Sequence, residues 1–478
     1  MSYRRVAGAP LDFSALRAEL EVPGDFGVEV LAEADASARD VTLPETDLID
    51  IPFVTIDPPG SRDLDQAVQV ERAAGAQGGY LVRYAIADVA AFVPPDSALA
   101  AESFRRGETL YFPDARVPLH PPVISEGAAS LLPGQLRPAL VWTLRLDADA
   151  SLRSTEVRRA AVRSRAQLDY AGLQQLLDAG AAPAPVALLP EVGRLLIAAA
   201  RARHAIELDL PEQRVVPAPD GGWALQTRTT LPVEKYNEQI SLITGMAAAR
   251  LMLDAGVGLL RVVPTPPFGA VHALRRAAHA LQVPWPHDAL PGDVLADLDP
   301  TQPMQAAFID HAAALLRGSS YVAFDSGAPA HTMHAGVGAP YAHVTAPLRR
   351  LADRFAGEIC LAVHAGEQVP DWVRQRLELL PAVMAHSDQL AHTAARAVVD
   401  ATEAWLLQDR VGETFAATVI DADSDAASET DSETATIVLS AIAVRAPCTG
   451  TGMHPGEVIS ARLIDADVGR RQVRFERA

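Results

Sequence analysis

With only Cys360 and Cys448 in 478 residues, neither a disulfide framework nor a cysteine-rich metal site can be built, and a reducing compartment suits the chain. Aromatic residues are also scarce, at 5% against 49% hydrophobic residues overall, which is otherwise a globular composition. No apolar run reaches the ~20 residues of a membrane-spanning helix. The first residues, MSYRRVAGAPLDF, contain no apolar core of a secretory leader, so a soluble cytoplasmic protein without a membrane partner is expected. Positive charge is short: the formal net charge is −19, and Lys235 is the exception among basic residues that are otherwise arginine. That balance does not exclude nucleic acid, because a basic channel can lie inside an acidic shell. Arginine is also the better residue for two-pronged phosphate contacts. No repeat is evident, and the length suits roughly two to four domains.

The most informative stretch is Thr55-Ile-Asp-Pro-Pro-Gly-Ser-Arg-Asp-Leu-Asp-Gln-Ala-Val68. It follows an extended segment from Ile49 to Val54, and Pro58-Pro59-Gly60 must turn the chain because each proline fixes φ and lacks an N–H. Asp57, Asp63 and Asp65 are thereby brought into one short loop. Folded together, three carboxylates repel unless a positive charge sits among them. Either this is a solvated acidic turn or it holds a hard divalent cation such as Mg²⁺, which takes oxygen ligands and keeps several waters.

Around this loop the chain changes character three times. Residues 1–46 read as a small helical element, with helical spacing in 12–20 and 27–36 separated by Val22-Pro-Gly. It is either helix-turn-helix-like or a packing arm; little positive charge beyond Arg4 and Arg5 favours the arm. Residues 47–409 begin with strands and continue with helices, the order of an α+β domain. The strands are 67–71 and 80–89, joined by a glycine-rich link at 73–79, then a further strand pair around 110–113 and 139–146. In the second strand Asp88 is either a turn cap or part of the acidic site. Arg159, Arg163, Arg165 and Tyr170 suit either a strand-tracking groove or a solvated strand face. Helices are expected at 191–206, 233–253, 301–316, 348–363 and 371–408, the last interrupted near Pro381. From 410 to 478, about five closely spaced strands suit a small OB-type barrel that binds single-stranded nucleic acid. Asp421–Glu433 is acidic and of low complexity, and reads as a mobile loop.

A second stretch, Tyr341-Ala-His-Val-Thr-Ala-Pro-Leu-Arg-Arg-Leu-Ala-Asp353, reads as a helix start at Pro347 with Thr345 as its cap. Arg349 and Arg350 then fall in the first turn, a good anion site, or else are surface arginines paired with Asp353 or Glu358. Taken together, the two stretches resemble the catalytic domain of the ribonuclease II / ribonuclease R family, the RNB domain. The resemblance runs from about Leu48 to Trp405 and is carried by collinear blocks: TIDPPGSRDLDQAV at 55–68, YAIADVAAFV at 84–93, LYFPDARVPLHPPVIS at 110–125, RSRAQLDY at 163–170, AIELDLPE at 205–212, NEQISLITGMAAAR at 237–250 and the segment ending at Arg350.

The resemblance implies an RNB-type α+β catalytic domain followed by an OB-fold barrel, acting on single-stranded RNA; no obligate protein partner is visible in the sequence, and a monomer is expected. It implies a 3′→5′ exoribonuclease that releases nucleoside 5′-monophosphates. Asp57, Asp63 and Asp65 would hold Mg²⁺, with Mn²⁺ as a substitute, and Asp65 and Arg349 would serve the chemistry. Tyr111 would stack on the terminal base, while Tyr170, Glu238 and Arg350 would contact RNA, the first two helping to select ribose. The sequence also departs from the family pattern. Gln66 stands where a fourth aspartate is usual, and as a metal ligand it offers one amide oxygen and no charge. Ala346 and Leu351 replace a hydroxyl and an aromatic, the second clamp aromatic is not obvious (Glu207 lies near its position), and fewer than fifty residues precede the domain where paired cold-shock domains are usual. A catalytically weak RNA-binding or regulatory protein on the same fold is the alternative that Gln66 motivates.

Overall fold

The computed structural model describes residues 11–74, 78–209, 212–219, 221–422, 433–439 and 442–478. Arg4, Arg5 and most of the acidic stretch between Asp421 and Glu433 lie outside them. At the centre is a six-stranded sheet of β1 (Val54–Asp57), β2 (Gln66–Arg72), β3 (Tyr80–Ala87), β6 (Leu136–Leu146), β7 (Leu152–Arg163) and β8 (Ala166–Asp169). A short ribbon of β4 (Leu110–Tyr111) and β5 (Arg116–Val117) stands apart from it. The strand order is β7-β6-β3-β2-β1-β8, antiparallel except where β1 and β8 run parallel.

Side-chain alternation divides this sheet between two cores. Val68, Val70, Tyr84 and Ile86 face a large core with helices α5 (Leu189–Ala202), α6 (Pro232–Ala255) and α10 (Leu351–Ala365). The intervening Ala67, Ala85 and Ala87 face a second core containing Val30 and Ala34 of α2 (Val28–Asp40) and Leu99 of α3 (Ala98–Arg106). Both faces are covered, so β3 is buried along nearly its whole length rather than half-solvated. The small residues on the second face let α2 and α3 approach closely. Trp142, fully buried in β6, anchors the first core.

The described residues of the N-terminal element pack against the rest of the chain. Phe13 and Leu16, at and within α1 (Ser14–Glu19), join a cluster with Leu110, Phe112 and Ala394, while α2 belongs to the second sheet core. After β8 come α4 (Tyr170–Asp178), α5, a hairpin of β9 (Glu212–Pro217) and β10 (Trp223–Arg228), and α6. Then β11 (Gly258–Val262) pairs with β12 (Ser320–Phe324) around an insertion of α7 (Phe268–Ala280), α8 (Pro291–Leu295) and α9 (Pro303–Ala312) that has its own core. A two-residue ribbon, β13 (Met333–His334) with β14 (Ala339–Pro340), leads into the arginine stretch and α10. The last long helical region divides into α11 (Asp371–Leu377) and α12 (Leu380–Leu407). Pro381 sits in the first turn of α12, where its missing N–H costs nothing, so it marks a start rather than an interruption.

The chain ends in a closed barrel of β15 (Thr414–Ala422), β16 (Glu433–Leu439), β17 (Arg445–Gly450), β18 (Val458–Asp467) and β19 (Gln472–Arg477), in order β15-β16-β17-β19-β18. Closure leaves no open sheet edge. Ala404 and Leu407 of α12 insert into the barrel's core, so barrel and helix share one apolar interior. No helix among the described residues is long and apolar enough to cross a membrane.

Candidate active site

Parallel pairing of β1 with β8 sets the site's first corner. Asp57 stands beside Asp169 in register, so Tyr170, the next residue, emerges next to the acidic loop. Antiparallel pairing of β2 with β3 sets the second: Gln66 opposes Ile86, and Asp65 just before it accepts the Ala87 N–H at its carbonyl (2.9 Å). The third corner is the arginine turn, which lies against this same end of the sheet. Leu348 N–H donates to Asp65 Oδ1 at 2.7 Å, and Arg349 Nε lies 3.4 Å from Asp65 Oδ2.

Asp65 is 4% exposed, and burial pushes its carboxyl up to about 8 although Arg349 and the Leu348 N–H pull the other way. Asp57 is pushed up to about 7, again by burial first and then by the charge of Asp63, with Arg349 opposing. Asp57 Oδ2 is buried and meets no hydrogen-bond partner among the described residues. Two desolvated carboxylates, one with an unused oxygen, make a site short of positive charge. They suit Mg²⁺, which binds through one or two carboxylates and completes its shell with water and substrate phosphate. Among the described residues no three His, Cys, Asp or Glu side chains converge into a closed metal cage.

The third aspartate is placed differently. Asp63 Oδ2 accepts from the Tyr111 hydroxyl at 2.9 Å and Oδ1 from Arg116 at 2.8 Å. Tyr111 and Arg116 are register partners in the β4–β5 ribbon, which is why both reach one carboxylate. Sequence reasoning missed Arg116; the signal for it was its place opposite Tyr111 across the Pro113-Asp114 turn. Gln66, expected to lend an oxygen to a metal, uses both ends of its amide on the protein. Its Nε2 donates to the Thr345 carbonyl at 2.5 Å, and its Oε1 accepts from the Tyr84 hydroxyl at 3.1 Å.

The arginine turn also differs from its sequence reading. Residues 347–349 form a tight turn in which Ala346 O accepts from the N–H groups of Arg349 (3.2 Å) and Arg350 (3.0 Å). Helix α10 begins only at Leu351, with Arg350 at the cap position, and Thr345 does not cap it. Asp353 holds the turn closed, accepting from Ala346 N–H at 2.7 Å and from Arg350 at 2.9 and 3.0 Å. Arg350 is therefore tied to Asp353, whereas Arg349 faces Asp65. With Tyr111, Glu108, Arg261, Tyr321 and His343, the two arginines line a polar cavity of about 220 Å³.

Of the remaining expected contacts, Tyr170 and Tyr111 lie beside this centre. The Tyr170 hydroxyl accepts from Asn237 Nδ2 at 3.4 Å, and burial followed by the Asp57 charge pushes it up to about 12. Tyr111 and Glu238 are open to water. The bulk of protein around them nevertheless raises both pKa values, with Asp63 adding to the effect at Tyr111 and Glu207 at Glu238. Tyr111 lines the cavity beside Arg349. Arg159 and Arg165 are not gathered there: Arg159 bridges Asp88 (2.6 Å) and Glu358, and Arg165 donates to the Ile49 carbonyl (2.6 Å). Asp88 is thus part of a structural ion cluster and not of the acidic site.

An acidic loop, an arginine turn and an aromatic ribbon meeting at one end of a sheet, with a barrel behind, match a known arrangement. The RNB domain matches residues 45–362, and the RNase II-type exonuclease C-terminal S1 domain matches residues 413–478. The chain belongs to the RNB-domain family. Curated relatives include ribonuclease R of Thermotoga maritima, 25% identical over 80% of this chain and 56% of that protein, and ribonuclease R of Escherichia coli, 27% identical over 77% and 48%. The chain thus spans about half the length of these relatives. Among solved structures, Mycoplasma genitalium RNase R in complex with ribose-methylated single-stranded RNA shares the fold, with a TM-score of 0.83, 18% identity and coverage of 98% of this chain and 77% of that one. A yeast pseudonuclease shares it at a TM-score of 0.66, with 14% identity over 90% of this chain and 53% of that one.

Proposed function

We propose that this chain hydrolyses single-stranded RNA stepwise from the 3′ end, releasing nucleoside 5′-monophosphates with Mg²⁺ as cofactor and Mn²⁺ as a substitute. The observation that carries the reading is the convergence of Asp57, Asp65 and Arg349, in which a buried carboxylate and a half-buried one lie together and an exposed guanidinium stands 3.4 Å from the buried one. Asp57 and Asp65 would hold the ion, with Asp63 close enough to add to its field. When bound, Mg²⁺ lowers the pKa of a coordinated water and offsets charge on the leaving oxygen.

Every other contribution comes from side chains of the chain itself. Arg349 faces the scissile phosphate and offsets charge that grows on its oxygens. Asp65 is held by the Leu348 N–H, so the arginine turn and the carboxylate keep one geometry. Tyr111 offers its exposed ring to the terminal base, and the bond from its hydroxyl to Asp63 orients that ring. Tyr170, beside Asp57, and Glu238 would contact the ribose, whose 2′-OH distinguishes RNA from DNA. Arg350, fixed by Asp353, adds positive potential beside the phosphate path. The buried free thiols of Cys360 and Cys448 suit a cytoplasmic enzyme, which we take to act as a monomer.

The test is decay of a 5′-labelled single-stranded RNA with Mg²⁺ and with EDTA. The expected outcome is a ladder shortening from the 3′ end with monophosphate release, absent in EDTA and slowed at least ~100-fold by Asp65→Asn. Equal decay by that variant would sink the assignment of chemistry to this loop. The second reading is an RNA-binding protein without catalysis, favoured by Gln66 in the acidic loop and by the pseudonuclease that shares the fold. Tight RNA binding with no monophosphate released would select it.

A further inference from the structure

We infer that Gln66 is a positioning residue, not a metal ligand: its amide clamps the arginine turn to the acidic loop and sets where Arg349 stands. Consecutive residues of the loop hold the same short segment from opposite chemical sides. Asp65 Oδ1 accepts the Leu348 N–H at 2.7 Å, and Gln66 Nε2 donates to the Thr345 carbonyl at 2.5 Å. The orientation of the amide is forced, because a carbonyl oxygen can only accept, so the nitrogen must face Thr345. Its oxygen then meets Tyr84, whose hydroxyl donates at 3.1 Å and also lies 2.8 Å from Ser241 Oγ on α6. Tyr84 is 1% exposed in the middle of β3, so the chain of contacts runs from a rigid strand through Gln66 to the backbone that carries Arg349.

The donor is what the position requires. Thr345 is 4% exposed, and a carboxylate at 66 would set an acceptor against its buried carbonyl. The turn would then be held to the loop by Asp65 alone. Arg349, four residues beyond Thr345, would lose its fixed distance to Asp65, and a shift of about 1 Å near the chemistry costs on the order of 100-fold in rate. The amide thus exchanges one unit of negative charge beside the metal carboxylates for a mechanical link across the site.

This inference rests on the exoribonuclease reading for its kinetic arm, and a metal-free arm tests it independently. Gln66→Glu keeps the side chain's size and replaces the donor by an oxygen, while Gln66→Met removes the donor without adding charge. In metal-free protein, amide hydrogen exchange over residues 345–350 is expected to speed up at least ~10-fold in both variants, with the rest of α10 unchanged. With Mg²⁺ and RNA, kcat is expected to fall at least ~10-fold in both, with KM for RNA and the Mg²⁺ concentration for half activity within about 3-fold of the parent. A Gln66→Glu variant with higher activity or a lower Mg²⁺ requirement would overturn the inference and make position 66 a ligand. Unchanged exchange at 345–350 in either folded variant would overturn it as well. If the parent itself degrades no RNA, the function reading fails, and the exchange experiment still decides the clamp.

Discussion

At the scale of single residues, the site is a contest between burial and charge. Asp65 is buried and Asp57 half-buried, and desolvation pushes both carboxyls above the usual carboxylate range. Arg349 is the counter-charge within reach, and its reach depends on a fork-shaped guanidinium at a set distance. Arg349→Lys keeps the charge and loses the fork; kcat in single-turnover RNA decay is expected to fall about 100-fold with a smaller change in KM. Tyr111 separates two roles of one side chain. Removing the ring in Tyr111→Ala is expected to raise KM about 10-fold, the value of one base–aromatic stack, whereas Tyr111→Phe, which loses only the bond to Asp63, stays within about 3-fold. Similar losses in both variants, measured by steady-state decay, would show that the hydroxyl and not the ring matters.

Between elements, the decisive contact is the crossing of α6 under the segment that leads to the arginine turn. Gly245 lies where a Cβ would come within 2.2 Å of the Tyr341 ring and 2.5 Å of the Ala342 carbonyl. The Ala342 N–H donates to the Gly245 carbonyl at 3.2 Å, so helix and segment touch backbone to backbone. A methyl there must push one of them aside. Gly245→Ala is expected to cost about 1–3 kcal/mol in urea unfolding and to lower kcat more than RNA binding, because the displaced segment carries Arg349. The same logic explains the turn at 346–350. Asp353 reaches back from the first turn of α10 to Ala346 and Arg350, so the helix starts later than Pro347 suggests and leaves Arg349 free to face the acidic loop.

For the whole molecule, barrel and sheet layers are joined through α12, and a buried carboxyl lies at the joint. Glu403 on α12 is 4% exposed; its Oε1 accepts from the Arg445 N–H of β17 at 2.8 Å and from Gln213 of β9 at 2.7 Å. Burial outweighs these bonds and pushes Glu403 up to about 7. A carboxyl whose folded pKa lies above its unfolded value favours folding when protonated, so stability falls as pH rises from the ordinary carboxylate range through about 7. The full penalty, on the order of 3 kcal/mol, applies above that pH. Glu403→Gln keeps an acceptor for both donors and removes the charge. It is expected to raise the melting temperature at pH 8 and to leave it unchanged at pH 4; the reverse order in calorimetry would contradict the assignment.

Much of this was legible along the chain because it depends on local rules. Alternation marked β2, β3 and β6 of the central sheet but not β7 and β8, 3.6-residue spacing marked the long helices, and Pro58-Pro59-Gly60 compelled the turn that gathers the aspartates. The collinear blocks carried the family, and close-spaced short strands carried the barrel. What stayed hidden depends on partners far away in sequence. That Arg159 answers Asp88 and Glu358, that Arg116 shares Asp63 with Tyr111, and that Asp353 delays a helix start are outcomes of packing, which spacing does not encode. Gln66 is the clearest case. By itself the sequence determined that an amide replaces a carboxylate beside Asp65. Only the tertiary structure, by setting the Thr345 carbonyl and the Tyr84 hydroxyl against it, decided that this amide is needed as a donor, because a buried carbonyl must be met by an N–H and a carboxylate has none.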